Sequence, residues 1–505
     1  MRAFSTIEIL IALAILTTTI TAVALVAFGT PYMLANMKME TITLYHEDSE
    51  LARIEHLSWR GLMQIHSIAS TTRSGFEESL SISSIEDGVS IHAQSNTSWI
   101  DSYDIRRSST LKTLLTDTSG DNPCDPFVSS TWSLPYTHVY SMSVGDLLPA
   151  YIPADSYPVA DLKTTGNTLI AAVRATTQLN SPTLFFFDIS KNAQKPTLLG
   201  NGFDNASTSR IGFVEVATGN GYAYAANGFG SASPQTCAGT SSCAQVQIFS
   251  LPSAIPATFI TSLSLATTSA PYALSSGNGT APASAITYSQ GRIYLGLQKT
   301  IAGDEFNIID VSDPLKPRWI SGMPIGRTVN HIVVRNGFAY VATDDNVREL
   351  MIFDVRDSEH PVLAGSWDAP GSTGFGFGTA LIAHASTTLL GRSYVSNAPE
   401  VVSLNTDDPT HITQINTQDI GTVLNPDSIR GFISQDFLTY ALTTKKLQFW
   451  NYADTGSLSE FAPPLSLPSG STGTSVACRE NTLYVGLEQT SQASGSIEVV
   501  TGTNI

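Results

Sequence analysis

Few residues in this chain are spaced for chemistry, and most of those lack the partners that chemistry needs. Ser109-Thr110-Leu111-Lys112 has the S-x-x-K spacing of a nucleophile with its base, but no companion motif follows elsewhere. Gly371 to Gly378 is glycine-rich with no Lys-Ser/Thr after it, so it reads as a flexible loop and not a phosphate cradle. Asp117, Ser119, Asp121 and Asp125 could offer oxygens to calcium, yet the turn glycine and distal glutamate of a calcium loop are missing. No cofactor is therefore expected beyond an incomplete calcium set around Asp117, Asp121 and Asp125. Asp344-Asp345 and Asp407-Asp408 read as solvated turns. The nine histidines are scattered, with no H-E-x-x-H and no Cys/His cluster, so no metal site and no catalytic residue is expected. The chain is not expected to be an enzyme.

One residue stands apart. From Ile9 to Met37 no residue is charged, and Ile9 to Phe28 supplies 20 mostly apolar positions. At 1.5 Å per residue, such a helix spans the ~30 Å hydrocarbon core of a membrane. Glu8 sits at the edge of this run. A carboxylate there costs several kcal/mol unless paired, which makes it a functional candidate by default. No cation within the run can neutralise it. An α-amino group on another copy can, if processing exposes an N-terminus at Phe4.

The elements that must position these residues follow from composition and repeats. The 505 residues carry 26 Lys+Arg and 43 Asp+Glu, a net charge of −17 on only 14% charged positions. That balance argues against a nucleic-acid partner, whose phosphates require a basic footprint. Ser, Thr, Gly and small apolar residues replace the missing charge, a composition suited to exported sheet and turns. After the apolar run, Gly29-Thr30-Pro31 should kink the helix. Leu44, Leu51, Ile54, Leu62 and Ile65 then fall near one helical face, among acidic neighbours. Residues 73–125 read as a connector or small sheet, with strands at 76–91 and 99–105 and a short helix at 109–116.

Beyond residue 126 a repeat takes over. Short apolar strands end at Ile170, Tyr224, Tyr294, Tyr340, Leu390, Tyr440 and Tyr484, most of them preceded by a polar turn. A second strand follows each, often closed by Asp, as in Leu184–Asp188, Phe306–Asp310 and Leu350–Asp354. Asp-Pro turns and a third strand come next, as in Asp310-Val-Ser-Asp-Pro314. Apolar runs of four to six residues rich in Val, Ile, Tyr and Phe exclude helical repeats. This periodicity predicts a β-propeller of seven blades over 126–505. The strand-like 137–144 would complete the last blade, since a ring must not leave its sheet open. An exported chain permits disulfides: Cys124 with Cys478 across that closure, and Cys237 with Cys243 within a loop.

Two resemblances follow from these residues. Ala3-Phe4-Ser5-Thr6-Ile7-Glu8-Ile9-Leu10 resembles the signal of type IV pilins and pseudopilins, with Ala3 where the family usually has Gly. It implies cleavage between Ala3 and Phe4 by a prepilin peptidase, N-methylation of Phe4, and pairing of Glu8 with a neighbouring subunit during assembly. The implied domains are a leader at 1–3 and a long helix at 4–72, transmembrane over about 7–28 and kinked near 29–31. The Asp-Val-Ser-Asp-Pro pattern resembles the LVIVD repeats of bacterial surface propellers. Together these imply a pilus or pseudopilus subunit, of minor or tip type, displaying a propeller for adhesion or for protein or glycan interaction. Its partners would be other pilin subunits and an extracellular ligand. It would lie in the cytoplasmic membrane before assembly and at the cell surface afterwards. The alternative is an exported propeller enzyme or lectin tethered by an uncleaved helix.

Overall fold

The computed structural model describes four strands within residues 67–116 and, from residue 136 to 502, the chain apart from several loops. The chain divides into two compact units, Met1–Asp117 and Thr118–Ile505.

In the first unit, β1 (Ser67–Arg73), β2 (Phe76–Ser84), β3 (Ser90–Ile100) and β4 (Arg106–Thr116) form an antiparallel meander in that order. Three expectations are corrected here. Residues 67–72 belong to a strand, so the long helix does not reach residue 72. Ser109–Thr116 is strand and not helix, because all eleven residues of β4 pair with β3 from Ser90↔Thr116 to Ile100↔Arg106. Leu111, Leu114 and Leu115 fit a helical spacing too, but a continuous ladder overrides so short a pattern. The expected strand at 76–91 is likewise two strands, β3 beginning at Ser90.

The second unit opens with β5 (Tyr136–Ser143). Seven sets of four strands then share one plan. Blade 1 holds β6 (Val159–Thr165), β7 (Thr168–Ala175), β8 (Pro182–Asp188) and β9 (Thr197–Phe203). Blade 2 holds β10 (Ile211–Gly219), β11 (Tyr222–Asn227), β12 (Val246–Ser250) and β13 (Phe259–Leu263), and β10 pairs with β7 at Ile211↔Ala175 and Gly212↔Arg174, which joins blades 1 and 2 into one eight-stranded sheet. Blade 3 holds β14 (Ala283–Ser289), β15 (Arg292–Leu297), β16 (Phe306–Asp310) and β17 (Arg318–Met323). Blade 4 holds β18 (Val329–Arg335), β19 (Phe338–Thr343), β20 (Leu350–Asp354) and β21 (Val362–Trp367). Blade 5 holds β22 (Gly378–Ala383), β23 (Thr387–Arg392), β24 (Val401–Asn405) and β25 (Thr413–Gln418). Blade 6 holds β26 (Ile429–Gln435), β27 (Leu438–Thr443), β28 (Lys446–Tyr452) and β29 (Leu458–Ser466). Blade 7 joins β30 (Ser471–Arg479), β31 (Thr482–Gln489) and β32 (Ser496–Gly502) to β5, which pairs with β32 from Ser496↔Ser143 to Gly502↔Tyr136.

The first strands touch in sequence, β6, β10, β14, β18, β22, β26 and β30, and β30 returns to β6. The unit is a closed β-propeller with its first strands around the axis. Its core is divided accordingly: seven apolar clusters each lie between successive blades, including one between blades 7 and 1. Middle strands therefore bury both faces and read as unbroken apolar runs, such as Leu184-Phe185-Phe186-Phe187. Burying each such side chain contributes roughly 1.5–3 kcal/mol. Tyr136 adds to the closure by stacking on Phe449 of blade 6, with ring centroids 4.1 Å apart.

The antiparallel order gives the ring two distinct faces. Connections between first and second strands, and between third and fourth, lie on a hairpin face. Connections between second and third strands, and from blade to blade, lie on the opposite, crossing face. Tight hairpins at Asn220-Gly221, Gln290-Gly291 and Asn336-Gly337 hold positive φ at both positions. That is the two-residue geometry matched to strand twist, and Asn and Gly tolerate it best.

Candidate functional site

The axial channel is built by a device repeated on every blade. Each first strand carries a bulge at one register, at Val159/Asp161, Phe213/Glu215, Ala283/Ala285, Val329/His331, Gly378/Ala380, Ile429/Gly431 and Gly473/Ser475. A bulge places two residues opposite one and re-aims their side chains. The residue inside the bulge reaches the next blade. Ser284 Oγ donates to Val329 O at 2.6 Å, Asn330 Nδ2 to Gly378 O at 2.7 Å, and Thr379 Oγ1 to Ile429 O at 2.8 Å.

The residue after the bulge does similar work with a carboxylate. Asp161 Oδ2 accepts from Val216 N at 2.9 Å, and Glu215 Oε2 accepts from Ile286 N at 2.7 Å. On blade 4 this register holds His331, whose Nε2 lies 3.7 Å from Glu215 Oε1. Its ring keeps 30% of its surface open. Desolvation, with the Lys163 ammonium as a second cause, holds His331 down at about 4. The imidazole is therefore neutral at pH 7, and its Nδ1 is buried without a hydrogen-bond partner among the described residues.

Buried carboxylates line the crossing face immediately before the third strands of blades 3, 4 and 5. Glu305 is 1% exposed. Its Oε2 accepts from Ile325 N and Gly326 N, both at 2.8 Å, and its Oε1 from Thr300 N at 2.9 Å. Glu400 Oε2 accepts from Ile420 N at 2.8 Å and Gly421 N at 3.1 Å. Gln245 occupies the same register on blade 2 and accepts from Leu265 N at 2.8 Å. Each side chain ties the third strand to the segment leaving its own blade for the next. On blade 4 the partner is different: Glu349 takes Arg392 Nε at 2.5 Å and Nη2 at 2.7 Å, and both residues are fully buried. Burial raises the Glu349 and Glu400 carboxyls above their ordinary value, although Arg392 pulls the first back.

Asp345 corrects the expectation of a solvated turn. It is 2% exposed, with Arg348 Nη2 at 3.0 Å and Arg327 Nε at 3.7 Å. The two guanidiniums roof the connection between β19 and β20, which a charge-based reading cannot see. Asp407 and Asp408 are exposed.

On the hairpin face the Asp-x-x-Asp turns act as turn formers. Asp310 Oδ1 accepts from Ser312 N at 3.0 Å and Ser312 Oγ at 2.7 Å, and Asp313 Oδ1 from Leu315 N at 3.1 Å. The same geometry recurs at Asp188, Asp354, Asp357 and Asp408. Local hydrogen bonds of this kind lower the Asp188, Asp310, Asp354, Asp357 and Asp408 carboxyls below their ordinary value. A cleft of about 250 Å³ opens on this face between blades 3 and 4, lined among others by Arg292, Asp310, Arg318 and Glu359. Among the described residues no group of three or more His, Cys, Asp or Glu could hold a metal ion.

The sites named from sequence fall mostly elsewhere. Ala3, Phe4, Glu8, Asp117, Asp121, Asp125, Cys124, Cys237 and Cys243 lie outside the described residues. Cys478 is 1% exposed and disulfide-bonded. Among the described residues no helix is long and apolar enough to cross a membrane. The buried glutamates and His331 were not singled out. The available signal was recurrence: Glu305, Glu349 and Glu400 each directly precede a third strand.

Residues 326–369 match the LVIVD repeat. This LVIVD blade is blade 4, with Asp345, Glu349 and the Asp354 turn inside it. No curated protein matches the chain. Among solved structures, the chain is similar to the periplasmic gluconolactonase of Pseudomonas aeruginosa, at 10% identity and a TM-score of 0.45. That match covers 61% of this chain and 86% of the other. It is also similar to a catalytically inactive virginiamycin B lyase of Staphylococcus aureus bound to quinupristin, at 9% identity and a TM-score of 0.44. Here the coverage is 73% of this chain and 99% of the other. No chemistry transfers to the LVIVD blade or its neighbours from such likenesses.

Proposed function

We propose that the chain is a type IV pilin-like subunit, of minor or tip type, that displays its propeller outside the cell as a binding head. The observation that carries this reading is Ala3-Phe4…Glu8 set at the start of a 20-residue apolar run. Glu8 is unfavourable in lipid alone and is relieved by a neighbour's amine, so assembly selects processed, in-register subunits. The first unit is compatible with a pilin head. By register, Phe76, Leu80, Ile82, Ile91, Ala93, Trp99, Leu111 and Leu115 fall on one side of the β1–β4 sheet. Ser108 and Thr110 fall on the other side and are exposed. Such a sheet suits packing against an amphipathic helix like the one expected to follow the kink near 29–31.

The head is read as a display module and not an enzyme. Asp161, Glu215, Glu305, Glu349 and Glu400 are each engaged in hydrogen bonds or ion pairs that hold segments of the ring together. The subunit would start in the cytoplasmic membrane, meet a prepilin peptidase, and reach the surface in a filament with other pilin subunits.

Mass spectrometry of the mature N-terminus tests this. Methylated Phe4 is the expected result, whereas intact Met1, or a start at Leu25 after signal-peptidase cleavage at the A-x-A site Ala22-Val23-Ala24, overturns it. Glu8→Ala should then enter surface filaments far less well than wild type. Equal incorporation removes the pairing role of Glu8.

A further inference from the structure

The hairpin-face cleft between blades 3 and 4 departs from the repeat at one row of residues. Arg292 on β15 pairs with Asp310 on β16, and Asp310 pairs with Arg318 on β17. Residues paired across antiparallel strands share a face, with Cβ atoms about 4.5–5.5 Å apart. Ile308, two residues before Asp310, belongs to the apolar cluster between blades 3 and 4, so the whole row faces blade 4. The same row carries no arginine on other blades. It reads Thr168, Asp188 and Thr197 on blade 1, and Phe338, Asp354 and Val362 on blade 4. On blade 5 it reads Thr387, Asn405 and Thr413. The turn former in the middle is kept, and blade 3 adds a guanidinium on each side of it.

One carboxylate cannot neutralise two guanidiniums. Asp310 Oδ1 is occupied by its own turn, and its Oδ2 lies 3.5 Å from Arg318 Nη2. Among the described residues Arg292 forms no ion pair. Glu359 lines the same cleft from the Asp357 turn of blade 4, and it too forms no ion pair among the described residues. The cleft of about 250 Å³ therefore has surplus positive charge on one wall and an unpaired carboxylate on the other. Its walls are held together, because Ser321 Oγ of blade 3 donates to Ser358 O of blade 4 at 2.6 Å. Ile320 adds an apolar patch to the lining. A preformed gap with opposite charges on facing walls matches a ligand that carries both charges. Guanidinium forks bind oxyanions through paired hydrogen bonds, and a carboxylate accepts from an ammonium. A neutral sugar would leave both charges without a counterpart.

We infer that this cleft binds a small zwitterion, with its carboxylate or phosphate on Arg292 and Arg318 and its ammonium on Glu359. This gives the binding head a ligand class. Blades 3 and 4 alone build the cleft, so a negative titration leaves the N-terminal reading intact, and an unprocessed N-terminus leaves the cleft intact.

The test is calorimetric titration of the full-length chain in non-ionic detergent at low salt, with leucine and phosphoethanolamine as separate probes. Saturable binding of at least one is expected. Isocaproate and isoamylamine, which each keep one charge of leucine, should bind at least tenfold more weakly than the zwitterion that saturates. Glu359→Gln, at an exposed turn, should weaken binding tenfold or more with an unchanged melting temperature, and Arg292→Gln should do the same to binding. Arg356→Gln, in the corresponding turn of blade 4 but outside this cleft, should leave binding intact. Preference for leucine assigns an amino-acid ligand, and preference for phosphoethanolamine a headgroup-type one. The proposal fails if neither zwitterion saturates, if a singly charged analogue binds as tightly, or if Arg356→Gln weakens binding as much as Glu359→Gln does.

Discussion

The two faces of the propeller handle acidic residues in opposite ways. On the crossing face Glu305, Glu349 and Glu400 are buried. On the hairpin face Asp310 and Asp354 are partly and Asp408 largely open to water, and all three bond their own turns. Burial raises Glu349 and Glu400, while local hydrogen bonds lower the aspartates. The difference follows from what each face connects. A hairpin-face turn joins two strands of one sheet, and a short side chain can satisfy it locally. A crossing-face segment leaves one blade for the next, and its N–H groups need an acceptor from a nearby strand end. A glutamate reaches them only by giving up its water.

The comparison is most sharply broken at Glu349 and Arg392. Both are fully buried, so removing one partner strands the other's charge in the core. Arg392→Ala should destabilise the propeller by about 3–5 kcal/mol, read as a shift in the denaturant midpoint. Replacing both by Met should cost much less, because a matched apolar pair leaves no orphan charge. An equal loss in the double variant would mean that the pair contributes more than compensation.

Glu305→Ala comes next. It orphans the N–H groups of Thr300, Ile325 and Gly326 without leaving a charge behind. The expected loss is about 2–3 kcal/mol, since each buried unsatisfied group costs on the order of 1–3 kcal/mol and water can reach some of them. Glu305→Gln keeps an acceptor oxygen and should recover most of it.

The pH dependence should separate the faces by sign. The folded pKa of Glu400 lies above its unfolded value, so its contribution is fullest below the unfolded pKa and fades as pH rises through the folded one. Asp310 and Asp354 are depressed; their contribution is present above the unfolded value of about 3.9 and is lost as pH falls through the folded one. His331, held at about 4, adds stability above its unfolded value of about 6.5 and loses it between there and pH 4. Glu400→Gln should therefore melt higher relative to wild type at pH 7 than at pH 4. A gap that widens on acidification would reverse the assignment.

How far this contrast was legible in the sequence depends on length scale. The strands expected to end at Tyr224, Tyr294, Tyr340, Tyr440 and Tyr484 fall on β11, β15, β19, β27 and β31, each of which runs at least three residues further, because strands buried on both faces read as apolar runs. The Asp-x-x-Asp turns were readable for the same local reason: Asp and its acceptor N–H sit two residues apart. The crossing-face acids were not. Glu349 is partnered by Arg392, 43 residues on, and no window of a few residues contains that fact. Asp345 failed in the same way, its roof coming partly from Arg327 on the incoming segment. The channel cluster needs the whole ring, since Glu215 on blade 2 meets His331 on blade 4 only after blade 3 is in place. In the first unit the helical spacing of Leu111, Leu114 and Leu115 competed with a strand, and only pairing with β3 decided it.

The smallest effect is expected on the hairpin face. Asp310→Ala removes two local hydrogen bonds from a solvated turn, whose backbone N–H can bond water instead. Arg318, 3.5 Å from Asp310, is itself largely exposed, so that ion pair adds little. A loss under about 1 kcal/mol is expected, against several for Arg392→Ala. If Asp310→Ala costs as much as Glu305→Ala, the turn is not a local device. Its carboxylate would then have to brace blade 3 against blade 4 across the cleft that both line, as the glutamates brace the other face.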